Sequence, residues 1–272
     1  YLPNTESFRR GHPSRDDDPI RDAFEHHFQA SGKQMRASLS LDASQALRLD
    51  SHTAQCLAAC VEALHNASLV LDDFQDSALE RRGHPTVCAL FGRDVALGLT
   101  LRLTTTAFVS LSQIKNVEHL GSLTMEVHQA VADTILGQTW DQDDTKNEAV
   151  EQVKLTASMK SGPLFGLSVS LPLLAAGHKD ALETARRLGK LFGLGYQALD
   201  DLKDRATDRL QAVDANIVNA FETDFSFVEA EMAARQVADS VLNEALGLAA
   251  QLPEHSGAGI GKLIDQVRQS CT

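Results

Sequence analysis

Leu69-Val70-Leu71-Asp72-Asp73-Phe74-Gln75-Asp76 runs directly into Ser77-Ala78-Leu79-Glu80-Arg81-Arg82-Gly83-His84-Pro85-Thr86. An apolar, helix-forming stretch from Cys56 to Leu71 thus delivers three carboxylates and then two adjacent arginines. On a helix Asp72 and Asp76 share a face, with Asp73 beside them. Carboxylates this close repel one another and raise one another's pKa unless a cation sits among them. Their oxygens suit a hard cation such as magnesium, which takes one or two carboxylates and leaves its other positions to water and substrate phosphate. Arginine forks match phosphate oxygens. The stretch reads as a magnesium and diphosphate site closing a buried helix. Acidic triplets at helix ends are ordinarily solvated surface, but this one has a second copy. Gly195-Tyr196-Gln197-Ala198-Leu199-Asp200-Asp201-Leu202-Lys203-Asp204 repeats the DDxxD spacing after another apolar run.

Composition agrees with a helical protein that handles anions through metal. Of 272 residues, 43% are hydrophobic, 5% are aromatic and seven are proline, which suits an all-α fold better than a β sandwich. No linker or shift in composition marks a boundary, so a single domain over 1–272 is expected, with 1–18 loosely ordered. The net charge of −12 argues against nucleic acid and makes divalent cations necessary for any diphosphate substrate. The four cysteines, Cys56, Cys60, Cys88 and Cys271, form no C-x-x-C pair, and a reducing, cytoplasmic setting follows as the default. No uninterrupted apolar segment reaches the ~20 residues of a membrane span. The segment Ser161–Gly177, with Pro163 and Pro172, is expected to be a buried helix.

Read in order, the chain predicts helices from Pro19 to about Ala30, Met35 to Leu49, Thr53 to Asp76, Val87 to Leu111 and Leu120 to Gln142. Thr145-Lys146-Asn147-Glu148 has the form of a capping box opening a helix that breaks at Gly162-Pro163. His178 to Asp204 carries the second motif. Ser226-Phe227-Val228-Glu229 is another capping box, opening a helix to about Leu252, and a short helix follows Gly261. Lys33 and Arg36 stand at a helix start, where the dipole disfavours cations unless an anion binds there. His65 sits two turns before Asp72 in an apolar stretch, where a satisfied core histidine is the ordinary reading. Lys160 and Ser161, placed at the expected break, could reach phosphate oxygens; a plain C-terminal lysine is the bland alternative. Asp141, Asp143 and Asp144 read mainly as a solvated helix end.

These elements, in this order, resemble the trans-isoprenyl diphosphate synthases, the polyprenyl synthetase family. The first aspartate motif is DDFQD with Arg81-Arg82-Gly83, and the second is YQALDDLKD. Gly32-Lys33-Gln34-Met35-Arg36 looks like the family's GKRxRP element, Lys160-Ser161-Gly162 like its Lys-Thr-Gly, and Gly137-Gln138 with Asp141 like its GQxxD. The resemblance implies an antiparallel helical bundle around a deep apolar cavity, and a homodimer. It implies head-to-tail prenyl transfer with isopentenyl diphosphate anchored by Lys33, Arg36, His65 and Arg82. The allylic diphosphate would be held through magnesium ions on Asp72, Asp76 and Asp200, supported by Asp73, Asp201 and Asp204, and helped by Arg81, Lys160, Ser161 and Gln197. Ala67 and Ser68, one turn below Asp72, are small where a bulky aromatic in the family stops growth at farnesyl length; geranylgeranyl diphosphate is the favoured product, with farnesyl or longer chains as alternatives. The chain departs from the pattern at Gln34, Ala37 and Leu71. After Asp204 it lacks the family's loop lysine and reads Arg205-Ala206-Thr207-Asp208-Arg209. Two rival readings are a terpene cyclase on the same fold, which has no use for Lys33, Arg36 and Arg82, and a non-catalytic partner subunit, which tends to lose an aspartate motif. A helical scaffold would need no paired acidic clusters.

Overall fold

The computed structural model describes residues 18–29, 32–115, 117–142, 149–211 and 216–269, with 117 and 204–211 described by backbone alone. The described residues form eleven α-helices and one two-stranded hairpin, which makes the fold all-α. The chain packs as two compact units, Tyr1–Leu41 with Asp50–Leu120, and Asp42–Leu49 with Gly121–Thr272.

The first unit opens with α1 (Pro19–Gln29), where Pro19 holds the first position and the Asp18 carboxylate accepts the Ile20 and Arg21 N–H groups, both at 3.1 Å. Helix α2 (Met35–Ala46), of which only the part up to Leu41 belongs to this unit, ends before Arg48, whose left-handed φ of 58° stops it short of Leu49. Helix α3 (Ser51–Gln75) is capped by Asp50, which accepts from the His52 and Thr53 N–H groups. The chain then turns through strands β1 (Glu80–Arg81) and β2 (His84–Pro85). Arg82 and Gly83 form the turn at φ 55° and 76°, the paired positive values of a tight hairpin. The helix expected over Val87–Leu111 is two helices, α4 (Val87–Phe91) and α5 (Arg93–Ser112), because Gly92 takes φ 88° between them. Ala67 and Val70 of α3 pack with Ala23, Val87, Ala96, Leu99 and Leu103 into this unit's core, flanked by Phe24, Phe28 and Phe74.

The second unit holds α6 (Leu120–Asp141), α7 (Val150–Ala175), α8 (Leu182–Gln211), α9 (Ile217–Glu222), α10 (Phe227–Ala249) and α11 (Ala258–Gln269). The expected break at Gly162-Pro163 does not occur: α7 runs through both Pro163 and Pro172. Proline in a helix interior costs ~3 kcal/mol, and tertiary packing outweighs it here. A Cβ on Gly162 would lie 2.5 Å from the Lys190 Cα, and one on Gly189 would collide with the Gly166 backbone nitrogen. The backbones of α7 and α8 therefore meet directly, and the segment from Gly162 to Leu174 is buried throughout, as a core helix requires. The capping box at Ser226 and Glu229 is present and opens α10, which buries Ala230, Ala234, Ala238, Leu242, Ala245 and Ala249 along one face. The Thr145–Glu148 capping box, Asp143, Asp144 and Cys271 lie outside the described residues, as do residues 1–17 of the segment expected to be loosely ordered.

Candidate functional site

In the first unit, α3 ends in the acidic motif and the hairpin returns an arginine to it. Arg81 donates from Nε to Asp73 Oδ1 at 2.8 Å and from Nη2 to Asp72 Oδ2 at 2.9 Å. One guanidinium thus bridges two carboxylates, a charge-assisted arrangement stronger than neutral hydrogen bonds. The Asp73 side chain is 4% exposed and that of Asp72 20%. Burial raises the Asp73 pKa, Arg81 opposes that, and Asp72 and Asp76 add to it. Asp76 is the exposed C-cap residue of α3. The Arg93 guanidinium stacks 3.8 Å from the centre of the Phe74 ring and so covers the end of the same helix.

The basic residues read from the GKxxR element come to the same unit. Arg36 is buried and its Nη1 lies 3.3 Å from His65 Nε2, while Lys33 is exposed just before α2. His65 is held well below its ordinary pKa by burial first and then by the fields of Arg36, Arg82 and Arg81. Arg82 is exposed at the hairpin tip, and a Cβ added to Gly32 would collide with its guanidinium. Ala67 belongs to the apolar core, and the Ser68 hydroxyl donates to the His65 carbonyl at 2.7 Å.

In the second unit, Asp200 is half-buried and Asp201 buried on α8. Asp201 Oδ1 accepts from Gln197 Nε2, and Oδ2 accepts from the Ile217 N–H that starts α9, both at 2.9 Å. The side chains of Asp204, Arg205 and Arg209 lie outside the described residues. Lys160 and Ser161 stand in mid-helix rather than at a break, half-buried on α7. Lys160 Nζ donates to Asp141 Oδ2 at 2.5 Å, so Asp141 is an ion-pair partner rather than a solvated end. A Cβ on Gly137 would collide with the Lys160 backbone nitrogen, and Gln138 beside it is buried. The GQxxD and Lys-Ser-Gly elements therefore meet through a close helix crossing. Tyr196 joins Phe165 and Phe192 in an aromatic cluster.

Sequence reading missed His26, His27 and Asn66. His27 Nε2 pairs with Asn66 Oδ1 at 2.9 Å, and His26 Nε2 with the Pro85 carbonyl at 2.8 Å. The one available signal was the helical register, which puts Asn66 seven residues before Asp73 on the same face of α3. With Asp73, Arg81 and Arg82 these residues line a small, partly open cleft.

Among the described residues, no three His, Cys, Asp or Glu side chains stand together as a metal cage. Magnesium does not require one, since it binds one or two carboxylates and fills its shell with water and phosphate. In the first unit, the carboxylates of Asp72 and Asp76 at the open end of α3 are all-oxygen donors with the hardness and partial exposure that such binding needs, so they fit the ion.

Residues 17–245 match the family model described as Polyprenyl synthetase. The geranylgeranyl pyrophosphate synthase of Geoglobus acetivorans is 31% identical over 193 residues, 67% of this chain and 58% of that protein. The chain thus spans less than two thirds of that relative's length. An isoprenoid synthase family member from Thermotoga neapolitana superposes with a TM-score of 0.75 at 26% identity, covering 94% of this chain and 93% of the other. A solved geranylgeranyl pyrophosphate synthetase from Geoglobus acetivorans has the same fold, with a TM-score of 0.83 at 23% identity over 97% of this chain and 93% of the other. The unbroken match over most of the chain, with both aspartate motifs inside it, places the protein in the polyprenyl synthetase family.

Proposed function

We propose that the protein is a magnesium-dependent prenyltransferase that joins isopentenyl diphosphate head to tail with an allylic diphosphate. The observation that carries this reading is the Arg81 bridge to Asp72 and Asp73 in the same unit as the Arg36–His65 pair. One short region gathers carboxylates for a cation and separate cations for two diphosphates. A terpene cyclase would have no use for the second set.

Asp72, Asp76 and Asp200 would hold magnesium, supported by Asp73, Asp201 and Asp204. When bound, the ion supplies stabilisation of negative charge on the departing diphosphate. Arg81, Lys160 and Gln197 add donors to that diphosphate, and Ser161 a hydroxyl. Lys33, Arg36, His65 and Arg82 anchor isopentenyl diphosphate, whose double bond attacks the allylic cation. A proton then leaves to the released diphosphate. Apolar walls keep water from the cation. Geranylgeranyl diphosphate is the favoured product because Ala67 and Ser68 put no aromatic floor below Asp72, and farnesyl or longer chains are the alternatives.

The whole chain acts in this reading as one domain, since the family match crosses both compact units. Helices α3 and α5 are each long and apolar enough to cross a bilayer, with 67% and 39% of their apolar windows buried. We read α3 as a core helix and α5 as an interface helix. Leu97, Leu101, Phe108 and Val109 are exposed on α5, and Met125, Ile135 and Leu136 on α6, which supports a homodimer. Cys56, Cys60 and Cys88 are free thiols, consistent with a cytoplasmic setting.

The test is incubation of the full chain with magnesium, isopentenyl diphosphate and dimethylallyl, geranyl or farnesyl diphosphate in turn, with products identified by mass. The expected outcome is a geranylgeranyl product that disappears with chelator. Turnover indifferent to chelator would overturn the assignment.

A further inference from the structure

Two adjacent histidines of α1 reach two different elements of the proposed substrate region. His26 Nε2 lies 2.8 Å from the Pro85 carbonyl oxygen on β2. A carbonyl only accepts, so the ring donates through Nε2–H. His27 Nε2 lies 2.9 Å from Asn66 Oδ1. The Asn66 amide nitrogen donates to the Glu62 carbonyl at 2.8 Å and to the buried Glu62 carboxylate at 3.1 Å. Its oxygen is therefore the atom facing His27, and His27 also donates. Neighbouring helix residues point about 100° apart, so a single turn of α1 can hold both the hairpin and α3.

The hairpin needs support of this kind. It has only two residues in each strand, and its tip residue Arg82 takes φ 55° without being glycine. Isolated two-stranded hairpins are marginal, and a residue kept in the left-handed region needs surroundings that over-determine it. The Thr86 hydroxyl closes the base by donating to the Ala78 carbonyl at 2.7 Å, and Arg81 ties β1 to α3. The tie from α1 to β2 is His26. The cleft between these elements is lined by His26, His27, Asn66, Asp73, Arg81 and Arg82 as well as by apolar side chains. Val87, just after β2, packs into the core of the unit, and the His26 hydrogen bond adds a directional tie to the strand itself.

We propose that His26 and His27 are positioning residues: His26 sets the hairpin that carries Arg81 and Arg82, and His27 sets the turn of α3 that carries His65. The inference rests on the prenyl-transfer reading and deepens it.

The experiment compares the full chain with His26→Ala, His26→Gln, His27→Ala and His27→Gln. It reads the binding of inorganic diphosphate with magnesium by calorimetry, the KM for isopentenyl diphosphate against kcat, and the melting temperature. One lost neutral hydrogen bond predicts diphosphate binding weakened about threefold to tenfold in each alanine variant. The KM should rise by a similar factor while the melting temperature falls by no more than about 2–4 °C. Glutamine, whose side-chain N–H can reach the same acceptors, should restore most of the loss. Alanine variants that bind like the parent, or glutamine variants as impaired as alanine, would overturn the positioning role alone. A parent chain that neither binds diphosphate nor turns over would overturn the prenyl-transfer reading and this inference together.

Discussion

On α3 the inner carboxylate of the acidic pair, Asp73, is buried and accepts from the Arg81 guanidinium; on α8 the inner carboxylate, Asp201, is buried and accepts from an amide and a backbone N–H. The spacing is the same and the outer members, Asp72 and Asp200, are each half-buried. In both clusters the second aspartate anchors a following element, the arginine hairpin in one and the start of α9 in the other. The first aspartate of each pair is less deeply buried. In the proposed reading DDxxD is therefore a ligand and an anchor side by side. The anchors differ in what they hold: a guanidinium on the hairpin in the first cluster, and a backbone N–H at the start of α9 in the second.

The largest expected effect separates ligand from anchor. Asp72→Ala and Asp200→Ala should each lower turnover by about a thousandfold, from several kcal/mol of lost charge stabilisation. Melting temperatures should move far less than turnover, with a small drop in Asp72→Ala, which also gives up one of the two Arg81 contacts. If Asp200→Ala kept its rate while Asp72→Ala lost it, the two clusters would not be equivalent and the second would be structural throughout.

The next effect compares the anchors. Asp201→Ala leaves the buried Ile217 N–H without its acceptor, which costs about 1–3 kcal/mol. Asp73→Ala strands part of the Arg81 charge and should cost a similar amount. Salt distinguishes the two. Screening weakens an ion pair whose arginine reaches solvent and leaves a neutral hydrogen bond alone. Denaturant unfolding at low and high salt should show the Asp73→Ala penalty shrinking more than the Asp201→Ala penalty. Equal salt responses would erase the distinction between the anchors.

Much of this is legible in the sequence, and what is not has physical causes. The motif aspartates at the end of α3 and the Ser226 capping box carry local signals, and local signals suffice to place them. The inward turn of Asp73 is available in principle, since it stands three residues after the buried Val70 on the same helix face. Charge alone hides it. The uninterrupted course of α7 is not available, because the contacts that overrule Pro163 come from Gly189 and Lys190, more than twenty residues away in the chain. The split at Gly92 needs a backbone φ of 88°, which an isolated glycine in a helical pattern does not announce. His26 and His27 lie on a helix whose partners, Pro85 and Asn66, no periodicity could pair with them.

The smallest effect turns on acid, because the first cluster stands among histidines. His65 is held well below its ordinary value of 6.5 by burial and the arginine fields, and His27 is lowered by burial against the opposing Asn66 bond. Both rings are therefore neutral in the folded chain at pH values where the unfolded chain takes up protons. The unfolded state binds more protons below about pH 6.5, so stability is full above that pH and falls as the pH drops toward the folded-state values. His27→Gln keeps an N–H donor for Asn66 and removes the titrating ring. The difference in melting temperature between pH 7.5 and pH 5.5 should then be smaller in the variant than in the parent, with the two closest at the higher pH. An unchanged difference would place the acid sensitivity elsewhere, and the first cluster would lose the electrostatic character that separates it from the second.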